Sequence, residues 1–471
     1  MKMFLAGQWT ETSDRIEVRQ KYDGSLVDTV PMADAADVDR AVASAVEGAR
    51  VMRDLPGYDR AQILNATAAL MDAQTERLAR LISSEEGKVL AEARGEVARA
   101  SETMRLSADE AKRLSGEVLP LDGSPGASDK LGFTLRVPCG VVAAITPFNF
   151  PLNLVCHKVG PALAGGNAVI VKPASDTPLS ALALVELLLE AGLPPLAISC
   201  ITGSGGTIGN AICADPRVRK ISFTGSRDVG EQICKTAGVK RVTMELGSNS
   251  PIIVMPDADL EKVAAATATT GYANAGQVCI STQRVIALAP TYDDVIDAVR
   301  TKVEAIAVGD PLDEASQMGP MIRESDAKRV EQWVGEAIEA GARVVTGGKR
   351  NGAVYQPTLL ADVEPTMRVS CQELFGPAVG VTRADSIEDA IRMANDSPYG
   401  LSAGIFTENI HWAMQFARQV DAGNLNINWG PQWRADLMPY GGLKQSGFGK
   451  EGPKYAVAEM TELKTVVVHG V

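Results

Sequence analysis

The segment AVIVKPASDTPLSALALVELLLEAGLPPLAISCITGSGGTIG, residues 168–209, decides the fold. Ala168-Val169-Ile170-Val171 is a short apolar run rich in β-branched residues, the pattern of a strand buried on both faces. Ser180 to Ala191 reads as a Leu-rich helix, and Ile198-Ser199-Cys200-Ile201 as the next strand. Repeated β-α units of this kind imply a parallel sheet covered by helices, the usual architecture for dinucleotide binding. Ligands of such sheets sit beyond the carboxyl ends of the strands. Lys172, Ala174 and Ser175 follow the first strand, where a ribose or phosphate would lie. Gly203 to Gly209, including Gly205 and Gly209, follow the second and resemble a phosphate-cradling turn, a poor discriminator on its own.

The pattern extends in both directions. Ile221-Ser222-Phe223 and Val242-Thr243-Met244 continue the strand series, with Phe223-Thr224-Gly225-Ser226 a further strand and glycine turn. Upstream, Ala33 to about Ser115 is helical, with Ala36, Val38, Ala41, Val42 and Ala45 largely on one face. Pro120, Gly123, Pro125 and Gly126 end that block, and KLGFTLRVPCGVVAAITP (130–147) predicts a long strand or hairpin arm. A second α/β block runs from Pro251 to about Tyr440, with a strand from Pro251 to Val254 and a helix from Ala327 to Ala340. Leu463 to His469 predicts a final strand.

At 471 residues the chain is too long for one ordinary core. Apolar residues at 45% and charged residues at 22% describe a folded protein, not a disordered one. A formal charge of −12 leaves no basic surplus for nucleic acid or an anionic membrane surface. No apolar stretch reaches the roughly 20 residues of a membrane helix. The N-terminus resembles no signal or transit sequence, so a cytoplasmic location is expected. The seven cysteines include no C-x-x-C pair, and with three histidines they suggest no metal site.

Three residues carry candidate chemistry. Cys279 lies in Gly276-Gln277-Val278-Cys279, where a glycine-containing stretch lets a thiol approach a substrate; taken alone it reads more readily as a small buried hydrophobe. Glu245 ends an apolar strand, and apolar surroundings raise a carboxylate's pKa toward that of a general base; alternatively it closes the strand facing solvent. Asn149, within TPFNFP, could donate its amide to an oxyanion, or serve only as a turn residue.

Together with Lys172 in KPAS, FTGS, MELG, GQVC, CQELFGP with Glu373 and Phe375, and PYGGLKQSG, these residues occur in an order that resembles the aldehyde dehydrogenase superfamily over essentially the whole chain. The spacings agree, with 23 residues from Asn149 to Lys172 and 34 from Glu245 to Cys279. The resemblance implies an α/β fold with a Rossmann-like cofactor domain (1–123 and 144–246), an α/β catalytic domain (247–440) and a small β oligomerisation arm (124–143 and 455–471). Arms pairing across subunits would cover their exposed edges, so a homo-oligomer, dimer or tetramer, is expected.

The resemblance also implies roles. Cys279 attacks the aldehyde, Asn149 and the Cys279 N–H hold the oxyanion, and Glu245 activates water to hydrolyse the thioester. CoA-acylating members generally lack the base found at Glu245, and a non-catalytic protein on this fold would be free to lose Cys279. NAD or NADP is the implied cofactor, contacted by Thr146, Pro147, Phe148, Lys172, Ala174, Ser175, Gly205, Gly209, Phe223, Thr224, Gly225, Ser226, Leu246, Gly247, Glu373 and Phe375. Ser175 stands where many NAD-preferring members have Glu, so NADP is predicted to be accepted at least as well as NAD. Glu451 matches a second, supporting carboxylate. Succinate-semialdehyde members carry Arg at the positions of His157 and Ala273, and members acting on phosphorylated aldehydes often have Arg at the position of Val278. The similarity to lactaldehyde-type members implies a small polar aldehyde, hydroxylated or bearing an acid group such as a sulfonate. Its expected contacts are Arg105, Phe150, His157, Val278, Ile280, Trp433 and Arg434; each arginine reads alternatively as a surface or interface salt bridge.

Overall fold

The computed structural model describes residues 1–470. Its deciding segment folds as strand Ala168–Lys172, helix Leu179–Glu190 and strand Ile198–Cys200, the strands pairing in parallel. They belong to an eight-stranded sheet whose parallel centre runs Ile198–Cys200, Ala168–Lys172, Val141–Ile145, Val218–Thr224, Arg241–Glu245. Successive side chains enter opposite cores. Val142, Ala144, Val169 and Val171 join one cluster with helices Gly57–Ala73, Leu90–Arg113 and Asn153–Ala164. Val141, Ala143, Ala168 and Ile170 join the other with helix Ala35–Asp54. Burial on both faces explains why these strands read as continuous apolar runs.

The chain runs from Val141–Ile145 outward to Ile198–Cys200, then crosses back to place Val218–Thr224 on the other side of its starting strand. This reversal opens a crevice at the carboxyl ends of the strands. Antiparallel strands close the sheet's edges: Met3–Leu5 with Gln8–Thr10 at one, Gly447–Phe448 at the other.

A second, seven-stranded sheet is ordered Arg343–Thr346, Thr358–Ala361, Ala378–Ala384, Arg284–Leu288, Pro251–Val254, Ser402–Phe406, Asn424–Ile427. All its pairs are parallel except the first. The arm is a third sheet in which Thr461–His469 pairs antiparallel with Lys130–Pro138, and Val118–Leu119 pairs on the other side. Leu131, Leu135 and Leu463 are exposed on it.

The expected boundaries shift. The run 130–147 is not one strand: it breaks at Cys139-Gly140, where Gly140 takes φ +115, and Val141–Ile145 enters the first sheet. The division expected at 143–144 therefore falls inside a strand. Val118–Leu119, expected among the cofactor-domain residues, pairs within the arm. Helix Pro453–Glu459 buries Val457 in the first core, so the arm's second limb starts at Thr461, not 455. Among the described residues no helix is long and apolar enough to cross a membrane.

Candidate active site

The carboxyl edge of the first sheet gathers most of the residues singled out in the sequence. Thr146 to Asn149 follow Val141–Ile145, Lys172 and Glu245 are the last residues of their strands, and Gly225 follows Val218–Thr224. The second sheet's domain faces this edge with the segment that carries Cys279. After helix Leu260–Tyr272 the chain turns through three consecutive left-handed residues, Asn274 (φ +49), Ala275 (φ +53) and Gly276 (φ +70). Such a conformation is unfavourable for Asn and Ala and persists only if its surroundings impose it. Here they do. The Asn274 N–H donates to the Glu92 carboxylate at 3.1 Å, and its side-chain amide to Glu86 Oε1 at 2.8 Å. A Cβ at Gly276 would strike the Gly376 carbonyl.

Cys279 sits on that turn beside Phe150, Val278, Ile280, Leu401 and Tyr440. Its sulfur lies 3.2 Å from the Tyr440 hydroxyl. Enclosure pushes the thiol up to about 12; the hydrogen bond to Tyr440 opposes this, while the charges of Glu245 and Glu373 add to it. Asn149 reaches the same turn, donating from Nδ2 to the Gln277 carbonyl at 2.8 Å, and its Oδ1 is buried with no protein partner. Its backbone carbonyl accepts from Lys88 Nζ at 2.7 Å. Lys88 is also paired with Glu96 at 2.5 Å, and Glu96 accepts from the Leu152 and Asn153 N–H groups at the start of helix Asn153–Ala164. A buried ion pair thus fixes the turn that presents Asn149.

Glu245 is buried, and neither carboxylate oxygen has a partner. Burial, then the nearby charge of Glu451, drives its pKa well above the usual carboxylate range, with Arg434, Lys158 and Lys450 opposing. Its Oε1 would lie 2.8 Å from a Cβ at Gly441, which follows Tyr440. Cys279 and Glu245 therefore flank one short piece of chain. Glu451 behaves oppositely: burial works against ionisation, but Lys158 at 2.7 Å and Arg434 at 3.4 Å hold it low. Arg434 is itself buried, its guanidinium 3.9 Å above the Tyr440 ring and its Nε unpartnered. Behind it His157 is fully buried. Its Nε2–H donates to Asp436 at 2.8 Å, and Arg434 donates to Nδ1 at 3.2 Å. Burial and the neighbouring Arg434 lower the imidazole to about 4, so it is neutral. Asp436 stays ionised despite burial, because His157 and Arg99 donate to it.

In the crevice Lys172 is buried, with Nζ 3.8 Å from where a Cβ of Gly205 would be, and desolvation lowers it to about 8. The Ser175 hydroxyl donates to the Gly203 carbonyl at 2.9 Å, joining the loops that follow two neighbouring strands. Thr146 Oγ1 is buried and unpartnered. Gly225 lies against the Phe223 ring, and Thr224 accepts from Lys158 at 2.7 Å. Leu246 packs on Gly230 within the core behind helix Arg227–Ala237, and Ser226 precedes that helix without a side-chain cap. Glu373 accepts from the Ser248 N–H at 2.8 Å and presses on Gly247, where no Cβ could stand; burial raises it to about 7. Phe375, at φ +50, packs edge-on against Phe148 at 5.9 Å.

Two expected substrate contacts need correction. Arg105 is half exposed and engages Asp72 on the protein surface; Thr103, two residues earlier, faces His157, and a helix turns about 200° over two residues. His157 has no exposed surface and braces Arg434 instead of facing a ligand. Trp433 is 53% exposed. Conversely, Lys88, Glu96, Glu92, Asn274, Arg99 and Asp436 carry no motif of their own and emerge only from packing; Tyr440 stood within a quoted motif but had no assigned role. Among the described residues there is no cluster of His, Cys, Asp and Glu able to hold a metal ion.

The sequence profile of the Aldehyde dehydrogenase family matches residues 9–466. A 3-sulfolactaldehyde dehydrogenase of Priestia megaterium is 46% identical over 467 residues, 99% of this chain and 98% of that protein. Aspartate-semialdehyde dehydrogenase 1 of Pseudomonas canavaninivorans is 42% identical over 96% of each. The crystal structure of NADP-dependent glyceraldehyde-3-phosphate dehydrogenase from Bacillus halodurans, complexed with NADP, superposes with a TM-score of 0.97 at 35% identity, over 100% of this chain and 99% of that one. With this match over nearly the whole chain and a fold shared with a solved member, the chain belongs to the aldehyde dehydrogenase family of oxidoreductases.

Proposed function

We propose that the protein oxidises a small anionic aldehyde to the carboxylic acid, with Cys279 as nucleophile and NADP or NAD as hydride acceptor. The observation that carries this reading is the convergence of Cys279, Asn149 and an unpartnered Glu245 beside the buried Arg434. The sulfur adds to the carbonyl carbon, and one amide proton of Asn149 with the Cys279 N–H meets the developing oxyanion. The dinucleotide supplies the hydride acceptor when this adduct collapses to a thioester. Glu245 then removes a proton from the water that hydrolyses it; a raised pKa makes it a stronger base than an ordinary glutamate.

The crevice fits such a cofactor. It offers the buried Lys172 amine, the Ser175 hydroxyl, the orphaned Thr146 hydroxyl and the Gly247 backbone under Glu373. The one nearby acid after Ser175, Asp176, is occupied by Arg323. A 2′-phosphate therefore meets positive charge and no free carboxylate, which supports NADP use. For the substrate, Arg434 supplies a desolvated cation next to Tyr440, and the names of the two relatives denote aldehydes bearing a sulfonate and a carboxylate. The arm, with Leu131, Leu135 and Leu463 exposed, is the surface through which we propose that subunits assemble.

The test is NADPH and NADH formation with short aldehydes, neutral, hydroxylated, carboxylated and sulfonated, using wild type, Cys279→Ala and Arg434→Met. Cys279→Ala is expected to be silent. Arg434→Met should lose roughly tenfold to a hundredfold more in kcat/KM on anionic aldehydes than it loses on neutral ones. Full activity of Cys279→Ala would remove the covalent mechanism; equal losses on neutral and anionic aldehydes would remove the anion assignment.

A further inference from the structure

We infer that the Tyr440 hydroxyl is a catalytic hydrogen-bond donor to the Cys279 sulfur, stabilising the thiolate as it forms for attack, and that Arg434 positions the Tyr440 ring. This rests on the reading of Cys279 as nucleophile. The hydroxyl is 3.2 Å from Sγ, within the reach of an O–H to sulfur contact, and Cys279 is its only side-chain partner among the described residues. A phenol buried among Val278, Ile280 and Leu401 would otherwise be left unpaired, at the cost of its desolvation.

The ring is held from two directions. The Arg434 guanidinium stacks 3.9 Å above it, and reciprocal backbone hydrogen bonds join Tyr440 to Glu451 at 3.2 and 2.7 Å. Glu451 accepts in turn from Lys158 and Arg434, so the buried ion network behind the cleft ends on the residue that touches sulfur. The direction of the hydrogen bond follows from the charges around it. Cys279 is faced by Glu245 from the end of strand Arg241–Glu245, by Glu373 from the CQELFGP loop, and by Arg434 and Tyr440 from the C-terminal loop. Tyr440 is faced by Cys279, Glu245 and Arg434. Burial, followed by the charge of Cys279, holds the phenol well above its ordinary value, with Arg434 opposing. When the thiol proton is lost to water, the phenol keeps its own and donates. Two carboxylates oppose a negative sulfur here, and this donor offsets them.

The decisive variant is Tyr440→Phe, which removes one atom and keeps the ring under Arg434. The rate of Cys279 alkylation by iodoacetamide is followed by mass spectrometry of its peptide across pH, with and without NADP, beside kcat and KM. The expected result is an alkylation profile displaced by about one pH unit to the alkaline side, roughly tenfold slower at any pH on its rising limb. kcat should fall in parallel, with cofactor KM unchanged. Profiles that superimpose overturn the proposal, even if kcat falls, because packing alone would then explain the loss. An active Cys279→Ala would remove the nucleophile reading instead, and the alkylation profile would still report the hydrogen bond independently.

Discussion

Replacing Glu245 by Gln should disable the enzyme and stabilise it, and the two effects share one cause. Glu245 is buried with both oxygens unpartnered and a pKa well above the usual range, because of burial first and the charge of Glu451 second. The sign follows from linkage. A carboxyl with a raised folded pKa binds its proton more tightly in the folded chain, so it subtracts stability as pH climbs above its unfolded value of about 4.5. At pH 7 the ceiling on this cost is about 3 kcal/mol, set by ionisation of the unfolded chain at roughly 1.4 kcal/mol per pH unit. Gln has the same shape and no charge to bury. With an unfolding entropy of about 2 cal/mol/K per residue, a gain of 1–3 kcal/mol raises Tm by about 1–3 °C in a chain of this length. The difference should vanish near pH 4 and grow toward pH 8. In stopped flow the variant should keep its first turnover of reduced cofactor, and steady-state kcat should fall by roughly 10²–10⁴, the usual worth of a general base. Cys279 should accumulate as a thioester visible by intact-mass measurement. Steady-state turnover within tenfold of wild type, or a Tm difference independent of pH, would refute the reasoning.

Other outcomes follow from the same geometry. Ser175→Glu places a carboxylate against the Lys172 region and should lower the NADP to NAD ratio of kcat/KM by at least about tenfold; an unchanged ratio would mean that Ser175 does not set cofactor choice. Asn149→Ala removes the amide proposed to meet the oxyanion, which also holds the Gln277 carbonyl, so kcat should fall by roughly 10²–10³ with little change in cofactor binding measured by titration. Arg105→Ala should leave kinetics for anionic aldehydes unchanged and cost under about 1 kcal/mol in denaturant melts, since its partner Asp72 is on the surface.

The parallel sheet was legible from residues 168–209 because a strand buried on both faces must be apolar along its whole length. The left-handed turn before Cys279 was not. Asn274 tolerates positive φ without requiring it and Ala275 carries no signal for it, and Glu86, Glu92 and the close approach of Gly376 impose it. Helical periodicity could not choose between Arg105 and Arg434 as anion contacts, since both are cations near the right elements; packing sends one to Asp72 and the other over Tyr440's ring.

What the sequence by itself determined is the order of elements and the identity of the chemical groups: the strand ends that carry Lys172 and Glu245, the loop that carries Cys279, and the turn that carries Asn149. Local periodicity and turn chemistry suffice for that, because they act over a few residues. Only the tertiary structure decided which charges are buried together, and hence that Glu245 is raised while Glu451 is held low, and that Tyr440 faces the sulfur. Those properties depend on desolvation and on distances between residues far apart in the chain, which no local pattern encodes.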